Sequence, residues 1–382
     1  MRQIFGFTLL SIVFSSWCQL TPKEVLLQID SMQLRHHSFY DPGLFPSQRT
    51  WNLSKDNFED NTIFFTASIV QTLSELRPLM DLESRVLADS MMSRAKLNYI
   101  KYRSREGEPT FNFWQTIEPD LPFPNGSKLI SNSKMRLPDD LDTSVILAMS
   151  SGDDKLKAKL RAKMTAYATR ENRSESELAT LDKYESSEAY EVWFAKKMPQ
   201  TFDICVISNA LLFVFAEGDQ LNKVDLASIQ LLKRMIKADD HFNQVDDISH
   251  HTTSTAVILY HVARLLDADH QGLLKDIEPK VVSDLIKELK VCDTEMEKML
   301  ILSSLSRLRG TSYGNVNYSK INNEMDDFAF FSVKPLLGRP ELDFLDGLIP
   351  TISWTCEAYN RTLYLEYLHL SRIYTTNISG SR

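Results

Sequence analysis

The hydrophobic and polar positions along the chain follow the period of helices almost throughout, and hardly any stretch alternates as a half-buried strand would. Between Cys205 and Ala216 only Ser208 and Asn209 interrupt an apolar run, which predicts a helix buried all round. Six segments share this pattern and open with an acidic or hydroxyl residue: 60–76, 139–150, 201–216, 249–266, 294–308 and 353–370. They predict the inner layer of an all-α fold.

A second set of segments alternates with the first and carries only a narrow apolar stripe. Leu156, Leu160 and Met164 recur every four residues among lysines and arginines, as on a helix that covers a core. The members of this set are 155–169, 82–99, 224–236 and 281–289, with 21–36 as a further candidate. Alternating buried and amphipathic helices, repeated about six times, are typical of stacked helical hairpins. We therefore predict an (α/α)6-type toroid of helical hairpins, with inner and outer helix layers.

The connections between these helices predict a mouth at one end of the ring. If the inner helices run in the same sense, their N-termini gather at that end. Connections 103–137 and 310–350 each lead into an inner helix, so they should lie over the mouth. The first is rich in proline and aromatic residues, a composition typical of an ordered loop. Segment 21–36 should close the ring against the last helix.

Composition and charge narrow the possible partners. The 382 residues are 43% hydrophobic and 25% charged, as in folded soluble proteins, and the formal net charge is −8. No tract rich in lysine and arginine stands beside aromatic residues. The balance therefore argues against nucleic acid and anionic membranes as partners. A toroid with a central cavity instead predicts a small apolar or glycan ligand.

The first 18 residues have the pattern of a secretory signal peptide. A short cationic start precedes an apolar stretch from Ile4 to Phe14, and small residues at Ser16 and Cys18 favour cleavage before Gln19. Lipidation of Cys18 is the alternative. No later stretch is apolar for long enough to span a bilayer, so no integral membrane segment is expected after removal of the signal. We predict one secreted or periplasmic toroid domain, residues 19–382.

Three cysteines follow the signal segment, an odd number with no spacing typical of a metal site: Cys205, Cys292 and Cys356. At most one disulfide bond is available to them. Two of the three, Cys205 and Cys356, lie in apolar helical stretches. A lone cysteine in such a place usually packs as a small buried hydrophobic residue.

Four short motifs at the starts of inner segments carry a resemblance to a known family. They are DNTIFFTA at 60–67, PDDLDTS at 138–144, DICVISN at 203–209 and WTCEA at 354–358. These motifs resemble inner-helix openings of the terpenoid cyclase type of α/α toroid, and of secreted bacterial proteins built on a single such toroid. The resemblance covers roughly residues 55–372.

The same resemblance bears on activity. Class II cyclases such as the squalene-hopene cyclases protonate an isoprenoid with the middle aspartate of a D-x-D-D-T motif. The corresponding run here is Asp140 to Ser144, in which Thr143 replaces the last carboxylate, and the glutamine-tryptophan repeats of those cyclases are missing. The resemblance therefore implies a toroid that binds an apolar or isoprenoid-like ligand without cyclase activity.

Acidic residues at helix starts are the main candidates for chemistry. Those that should converge on the mouth of the ring are Asp60, Asp139, Asp140, Asp142, Asp203, Asp246 and Asp247. Aspartate is a favoured helix N-cap, which explains such positions without any catalysis. A carboxylate crowded by others is also pushed toward a raised pKa and then serves as a general acid. Asp139, Asp140 and Asp142 are the best case, because a single cap needs only one carboxylate.

A glycan-active hydrolase or lyase is the alternative function. Such enzymes place two carboxylates about 5–9.5 Å apart across a glycosidic bond and stack aromatic rings on the sugars. Glu357 in the last inner segment is a possible partner for Asp140 or Asp142. An aromatic platform could be formed by Trp114, Trp354 and Tyr359.

The histidines give no clear metal site. His250 and His251 follow Asp246 and Asp247, but adjacent residues on a helix point about 100° apart and cannot easily hold one ion together. We place His250 at the rim of the cavity and predict neither a metal nor a cofactor. Sequence motifs of serine hydrolases, zinc proteases and nucleotide-binding loops do not occur.

Overall fold

A computed structural model gives the architecture of most of the chain. It describes residues 20–52, 57–116, 138–168, 182–184, 187–195, 198, 200–218, 220–252, 254–333 and 351–379, with side chains up to residue 371 in the last helix. The predicted signal peptide with Cys18 lies outside these residues. So do residues 117–137 and 334–350 of the connections predicted to cover the mouth.

The described residues are predominantly helical, as the sequence predicts. Their helices are α1 Pro22–Met32, α2 Ile63–Leu76, α3 Leu82–Lys96, α4 Leu141–Ser151, α5 Asp154–Tyr167, α6 Ile204–Glu217, α7 Lys223–Lys237, α8 Asp240–Asn243, α9 Val245–Ile248, α10 Thr255–Ala268, α11 Glu278–Glu288, α12 Glu295–Arg309, α13 Tyr318–Glu324 and α14 Glu357–Ser379. None of them is both long and apolar enough to cross a bilayer.

The six predicted inner segments correspond to α2, α4, α6, α10, α12 and α14, and these helices contact one another in a closed order. Each packs against the next along the chain, and α14 packs against α2. The amphipathic helices lie against them: α3 on α2, α5 on α4, α7 on α6, and α11 on both α10 and α12. Helix α1 packs against α14, so the prediction that the N-terminal segment meets the last helix is confirmed.

A small antiparallel sheet accompanies the helices. Its strands are β1 Ser47–Trp51, β2 Asn57–Asp60, β3 Ala329–Val333 and β4 Ile352–Thr355, in the order β2-β1-β4-β3. The sequence does not predict this sheet, because strands of four or five residues are too short for alternation to stand out. Ser353 and Trp354, predicted at the start of the last inner helix, lie in β4 instead.

The cysteines are free thiols. Cys205 and Cys356 are buried, which confirms the prediction that they pack as small hydrophobic residues, and Cys292 is partly exposed. Burial raises the pKa of the Cys356 thiol to about 12. Neither buried thiol therefore has the thiolate character that a nucleophile requires.

Candidate functional site

The starts of α2 and α4 lie at the same end of the helices, held by the first part of connection 103–137. The Phe113 carbonyl accepts a hydrogen bond from the Ile63 amide at the start of α2, and the Phe111 carbonyl accepts one from the Asp140 amide at the start of α4. Segment 187–195 joins them, because the Leu141 amide donates to Val192. Backbone hydrogen bonds thus hold the first part of connection 103–137 and segment 187–195 against the start of α4.

Asp140 caps α4 from a buried position. Its Oδ1 accepts a hydrogen bond of 2.7 Å from the Thr143 amide, as a helix N-cap should. Its Oδ2 is buried and has no hydrogen-bond partner among the described residues. Burial raises the pKa of the Asp140 carboxyl to about 6, against the opposing hydrogen bond from Thr143. The role of N-cap therefore accounts for the position of Oδ1 but not for that of Oδ2, which is buried without a described hydrogen-bond donor.

Asp142, two residues further on, is partly exposed and does not cap the helix. Its Oδ1 accepts a hydrogen bond of 2.8 Å from Nδ2 of Asn209 on α6. Withdrawal from bulk solvent raises the pKa of Asp142 to about 7, and the charges of Asp140 and Asp203 add to the increase. An accessible carboxyl that keeps its proton near neutral pH has the property required of a general acid.

Asn209 links Asp142 to a histidine on a third inner helix. Its Oδ1 lies 3.2 Å from Nδ1 of His261 on α10. Because the amide nitrogen already donates to Asp142, the amide oxygen is the acceptor and His261 donates from Nδ1. Burial and the charge of Arg264 lower the pKa of His261 to about 3, so this imidazole is neutral. Asp142, Asn209 and His261 thus form one hydrogen-bonded chain across α4, α6 and α10.

Asp203 caps α6 and holds His251 beside this chain. The Asp203 Oδ1 accepts from the amides of Cys205 and Val206, at 2.8 and 3.2 Å. Its Oδ2 lies 3.1 Å from Nδ1 of His251. Burial favours a protonated Asp203, but the hydrogen bond and charge of His251 outweigh it, so the pKa of Asp203 lies below its usual value.

The histidine of this pair is shifted in the opposite direction. Burial opposes a charge on His251, but the hydrogen bond and charge of Asp203 and the charge of Asp140 outweigh it, and the pKa of His251 is raised. The imidazole also meets the partly exposed ring of Trp193 edge to face, with centroids 5.9 Å apart. An imidazole and a carboxyl with raised pKa values therefore lie near an aromatic ring at the starts of α4 and α6.

Other predicted rim residues are occupied by structural contacts. Asp60, at the end of β2, is buried, and its two oxygens accept hydrogen bonds from the indoles of Trp114 and Trp354, at 3.0 and 3.2 Å. Burial raises the pKa of Asp60, opposed by the nearby Arg49. Trp354 is itself buried and stacks on Phe331. Both tryptophans of the predicted platform are thus oriented by Asp60.

The remaining rim residues lie closer to the surface. Asp139 accepts a hydrogen bond of 2.6 Å from the Thr110 hydroxyl. His250 contacts the backbone carbonyl of Asp246 through Nδ1, and Asp247 lies beside Asp246 in the short helix α9. The side chains of Asp139, Asp246, Asp247 and His250 are all partly exposed.

Glu357 makes its described contacts away from Asp140 and Asp142. Its Oε1 lies 2.7 Å from Arg361 one turn further along α14. Arg361 in turn donates to Gln28 of α1 and Asn322 of α13, at 2.8 and 3.2 Å. These contacts direct the carboxylate toward α1 and α13 rather than toward the starts of α4 and α6.

Sequence reasoning missed a second polar network, which joins α2, α10, α12 and α14. Arg264 binds Glu75 of α2 at 2.7 Å, and the Tyr260 hydroxyl donates to Glu366 of α14 at 2.7 Å. Glu366 also pairs with Arg307 of α12. Burial favours a protonated Glu366, but Arg307 and Arg264 outweigh it and lower its pKa. The available signal was that the charged residues of this network interrupt the predicted apolar segments.

One group of side chains has the spacing to hold a metal ion, namely Asp239, His241 and Asp284. None of the sequence patterns points to it. Lys280 already places its ammonium against both carboxylates, 2.9 Å from Asp284 Oδ2 and in a short contact with Asp239. A lysine cation thus neutralises the two carboxylates that would bind an ion.

Comparison with known proteins identified no relative of this chain. No protein-family model matches the chain, and a search of curated proteins finds no match.

Proposed function

We propose that the chain folds as an (α/α)6-type toroid in a single domain, and that it is exported to the periplasm or the cell exterior. The closed order of contacts from α2 through α14 supports the ring, and the outer position of α3, α5, α7 and α11 supports the two layers. The resemblance of the inner-helix openings to terpenoid cyclase toroids agrees with this architecture.

We further propose that the side chains at the starts of α4 and α6 act on a glycan, with Asp142 as the proton donor. The observation that carries this proposal is the partly exposed Asp142 carboxyl, hydrogen-bonded by Asn209 and with its pKa raised to about 7. Two further polar groups, Asn209 and His261, continue from Asp142 in one hydrogen-bonded chain, and such polar neighbours favour a hydroxyl-rich ligand over a hydrocarbon.

In the proposed reaction Asp142 gives its proton to the glycosidic oxygen while the bond from that oxygen to the anomeric carbon breaks. The electron pair of the bond leaves with the protonated oxygen, a water molecule forms the new bond from its oxygen to the anomeric carbon, and the proton that this water releases restores the Asp142 carboxyl. The amide of Asn209 and the cationic His251 stabilise the Asp142 carboxylate that remains. The ring of Trp193 beside His251 offers a face for a sugar.

The test is turnover of a panel of soluble glycans by the purified chain. Asp142→Asn should reduce turnover by about 100-fold or more, because it removes the proton donor but keeps the size of the side chain. Asp139→Asn is the matched control, since Asp139 lies three residues away and contacts Thr110 instead. Equal turnover by both variants, or no turnover of any glycan by the unaltered chain, would count against the proposal.

An apolar or isoprenoid-like ligand, bound without cyclase activity, is the second candidate. It is supported by a group of aromatic rings between the sheet and α2, in which Phe331 stacks on Phe65 and Trp354, with centroids 5.1 and 5.0 Å apart. Phe113 and Phe331 in this group are partly exposed. Binding of a prenyl alcohol that is weakened by Phe331→Ala but unaffected by Asp142→Asn would favour this candidate.

A further inference from the structure

His261 is a buried histidine in the middle of α10 that takes no part in the proton transfer proposed for Asp142. The residue is 6% exposed, and its ring meets those of Tyr260 and Phe330 edge to face, with centroids 5.8 and 5.6 Å apart. Burial lowers its pKa to about 3, so it carries no charge. The hydrogen bond between its Nδ1 and Asn209 is its polar contact among the described residues.

Asn209 is buried between this imidazole and Asp142. An asparagine amide has a donating NH2 group and an accepting oxygen of nearly the same size, so turning it over exchanges the two with little change in packing. In the structure Nδ2 lies 2.8 Å from Oδ1 of Asp142, and Oδ1 lies 3.2 Å from Nδ1 of His261. The choice between the two orientations therefore depends on these hydrogen bonds.

The two orientations of the amide act on Asp142 in opposite ways. An NH2 group that faces Asp142 donates to the carboxylate and favours the charged form. An amide oxygen in the same place accepts from the protonated carboxyl and favours the neutral form. Whatever fixes the orientation of Asn209 therefore controls how readily Asp142 gives up its proton.

We infer that His261 is a positioning residue, whose N–H at Nδ1 holds the Asn209 amide in the orientation that presents its NH2 group to Asp142. A turned amide would bring Nδ2 of Asn209 against the N–H of His261. Two donors that face each other in a buried place are both left without an acceptor, which is costly. The inference requires no particular substrate, because it concerns the proton of Asp142 in the free protein.

Other influences on Asp142 do not pass through His261. Burial raises the pKa of Asp142 most, and the Asn209 amide opposes it. Five further titratable groups interact electrostatically with Asp142: Asp140, Asp203, His251, Cys205 and Tyr359. The two aspartates raise its pKa and the histidine lowers it, while burial keeps the thiol and the phenol neutral. The described hydrogen bond of His261 goes to none of the five, so a substitution of His261 leaves their charges in place.

The pKa of Asp142, followed by NMR through its side-chain carboxyl carbon, tests the inference without a substrate. In His261→Leu the donor is lost and the amide can turn toward the protonated carboxyl, so the pKa of Asp142 should rise by about 0.5–1 pH unit. His261→Gln keeps an NH2 donor and should bring the value back toward that of the unaltered chain. Val262→Ala is the matched control for lost packing, because Val262 is the next residue of α10 and is also buried.

The outcomes of this titration separate a positioning role from a merely structural one. A pKa of Asp142 that is unchanged in His261→Leu, or that rises equally in Val262→Ala, would overturn the inference. An equal rise in His261→Leu and His261→Gln would do the same, because it would assign the effect to the ring rather than to its N–H. None of these measurements uses a glycan, so the absence of glycan turnover would defeat the proposed function and leave this inference standing.

The tautomer of His261 provides a second test, in the unaltered chain. The ring-nitrogen resonances of His261 should show the proton on Nδ1 both below and above the Asp142 pKa of about 7. A proton on Nε2, or one that changes from one nitrogen to the other as Asp142 titrates, would refute a fixed amide. This result does not depend on whether any variant folds.

Discussion

The buried Asp203 pairs with the partly exposed His251, and Oδ2 of the aspartate accepts from both the backbone amide and Nδ1 of the histidine, at 3.3 and 3.1 Å. Each partner is shifted toward its charged form: the pKa of Asp203 is lowered and the pKa of His251 is raised. Both pKa shifts have the same origin, namely the attraction between the carboxylate and the imidazolium where little water screens them.

This pair predicts a pH window for stability. The contribution of Asp203, whose folded pKa is depressed, is present above its unfolded pKa of about 3.9 and is lost as the pH falls through the folded value. The contribution of His251 is present below its unfolded pKa of about 6.5 and is lost as the pH rises through the folded value. The pair should therefore stabilise the fold most between about pH 4 and 6.5.

Replacing the aspartate should reveal the coupling directly. In Asp203→Asn the pKa of His251 should fall below that of the unaltered chain, because the amide carries no charge to hold the imidazolium. The ring resonances of His251, followed by NMR as a function of pH, give this value. Asp153→Asn serves as the control, since Asp153 caps the exposed start of α5. A pKa of His251 that is the same in both variants would contradict the pairing.

Asp142 should make the fold less stable as the pH rises. Its folded pKa of about 7 lies above the unfolded value, so stability is lost between about pH 4 and 7 as the unfolded chain releases a proton that the folded chain retains. Asp142→Asn should remove this loss and raise the free energy of unfolding at pH 8 by about 1–2 kcal/mol, allowing for solvent screening. Urea denaturation at pH 4 and pH 8 measures the difference.

The same proton governs the proposed catalysis. Turnover of a glycan substrate should fall as the pH rises above about 7, because the Asp142 carboxyl then loses the proton it donates. The pH profile of kcat/KM measures this limb. Asn209→Asp should move the limb to higher pH, since a second carboxylate would replace the amide that donates to Asp142. An unchanged limb would show that another group controls the rate.

Glu366 should be among the most costly polar residues to alter. It is buried and accepts from Tyr260 while pairing with Arg307, so Glu366→Gln leaves the largely buried Arg307 with only the more exposed Asp267 as a counter-charge. We expect a loss of about 3–5 kcal/mol in the free energy of unfolding. Asp267→Asn, which removes the more exposed partner of Arg307, should cost less than about 1 kcal/mol in the same urea titration.

The helices were predictable because a period near 3.6 persists over ten or more residues in each of them. The sheet was not, because a strand such as Asn57–Asp60 has only four residues and gains its stability from partners far along the chain. Position at a helix start indicated Asp140 and Asp142 correctly as neighbours near one end of α4. It did not reveal that Asp142 faces Asn209, since the rotation of a helix depends on packing that the sequence does not record.

For Glu357, position at a helix start suggested the wrong partner. Its place at the start of α14 suggested a partner for Asp142, but Arg361 follows at the spacing that favours an ion pair on one helix face. That local signal was available in the sequence and indicated a different partner. His261 was visible only as a histidine inside an apolar segment, and its contact with Asn209 required the neighbouring helix to be placed.

The contact between α14 and α2 has a consequence for how the chain matures. Because α14 is made after every other described helix, the apolar faces of α2 and α12 that it covers stay open to solvent until the ribosome has finished residues 357–379. A chain that ends before this helix would keep those apolar faces of α2 and α12 exposed to solvent. We expect it to depend on chaperones and to be degraded rather than to persist as a smaller folded unit.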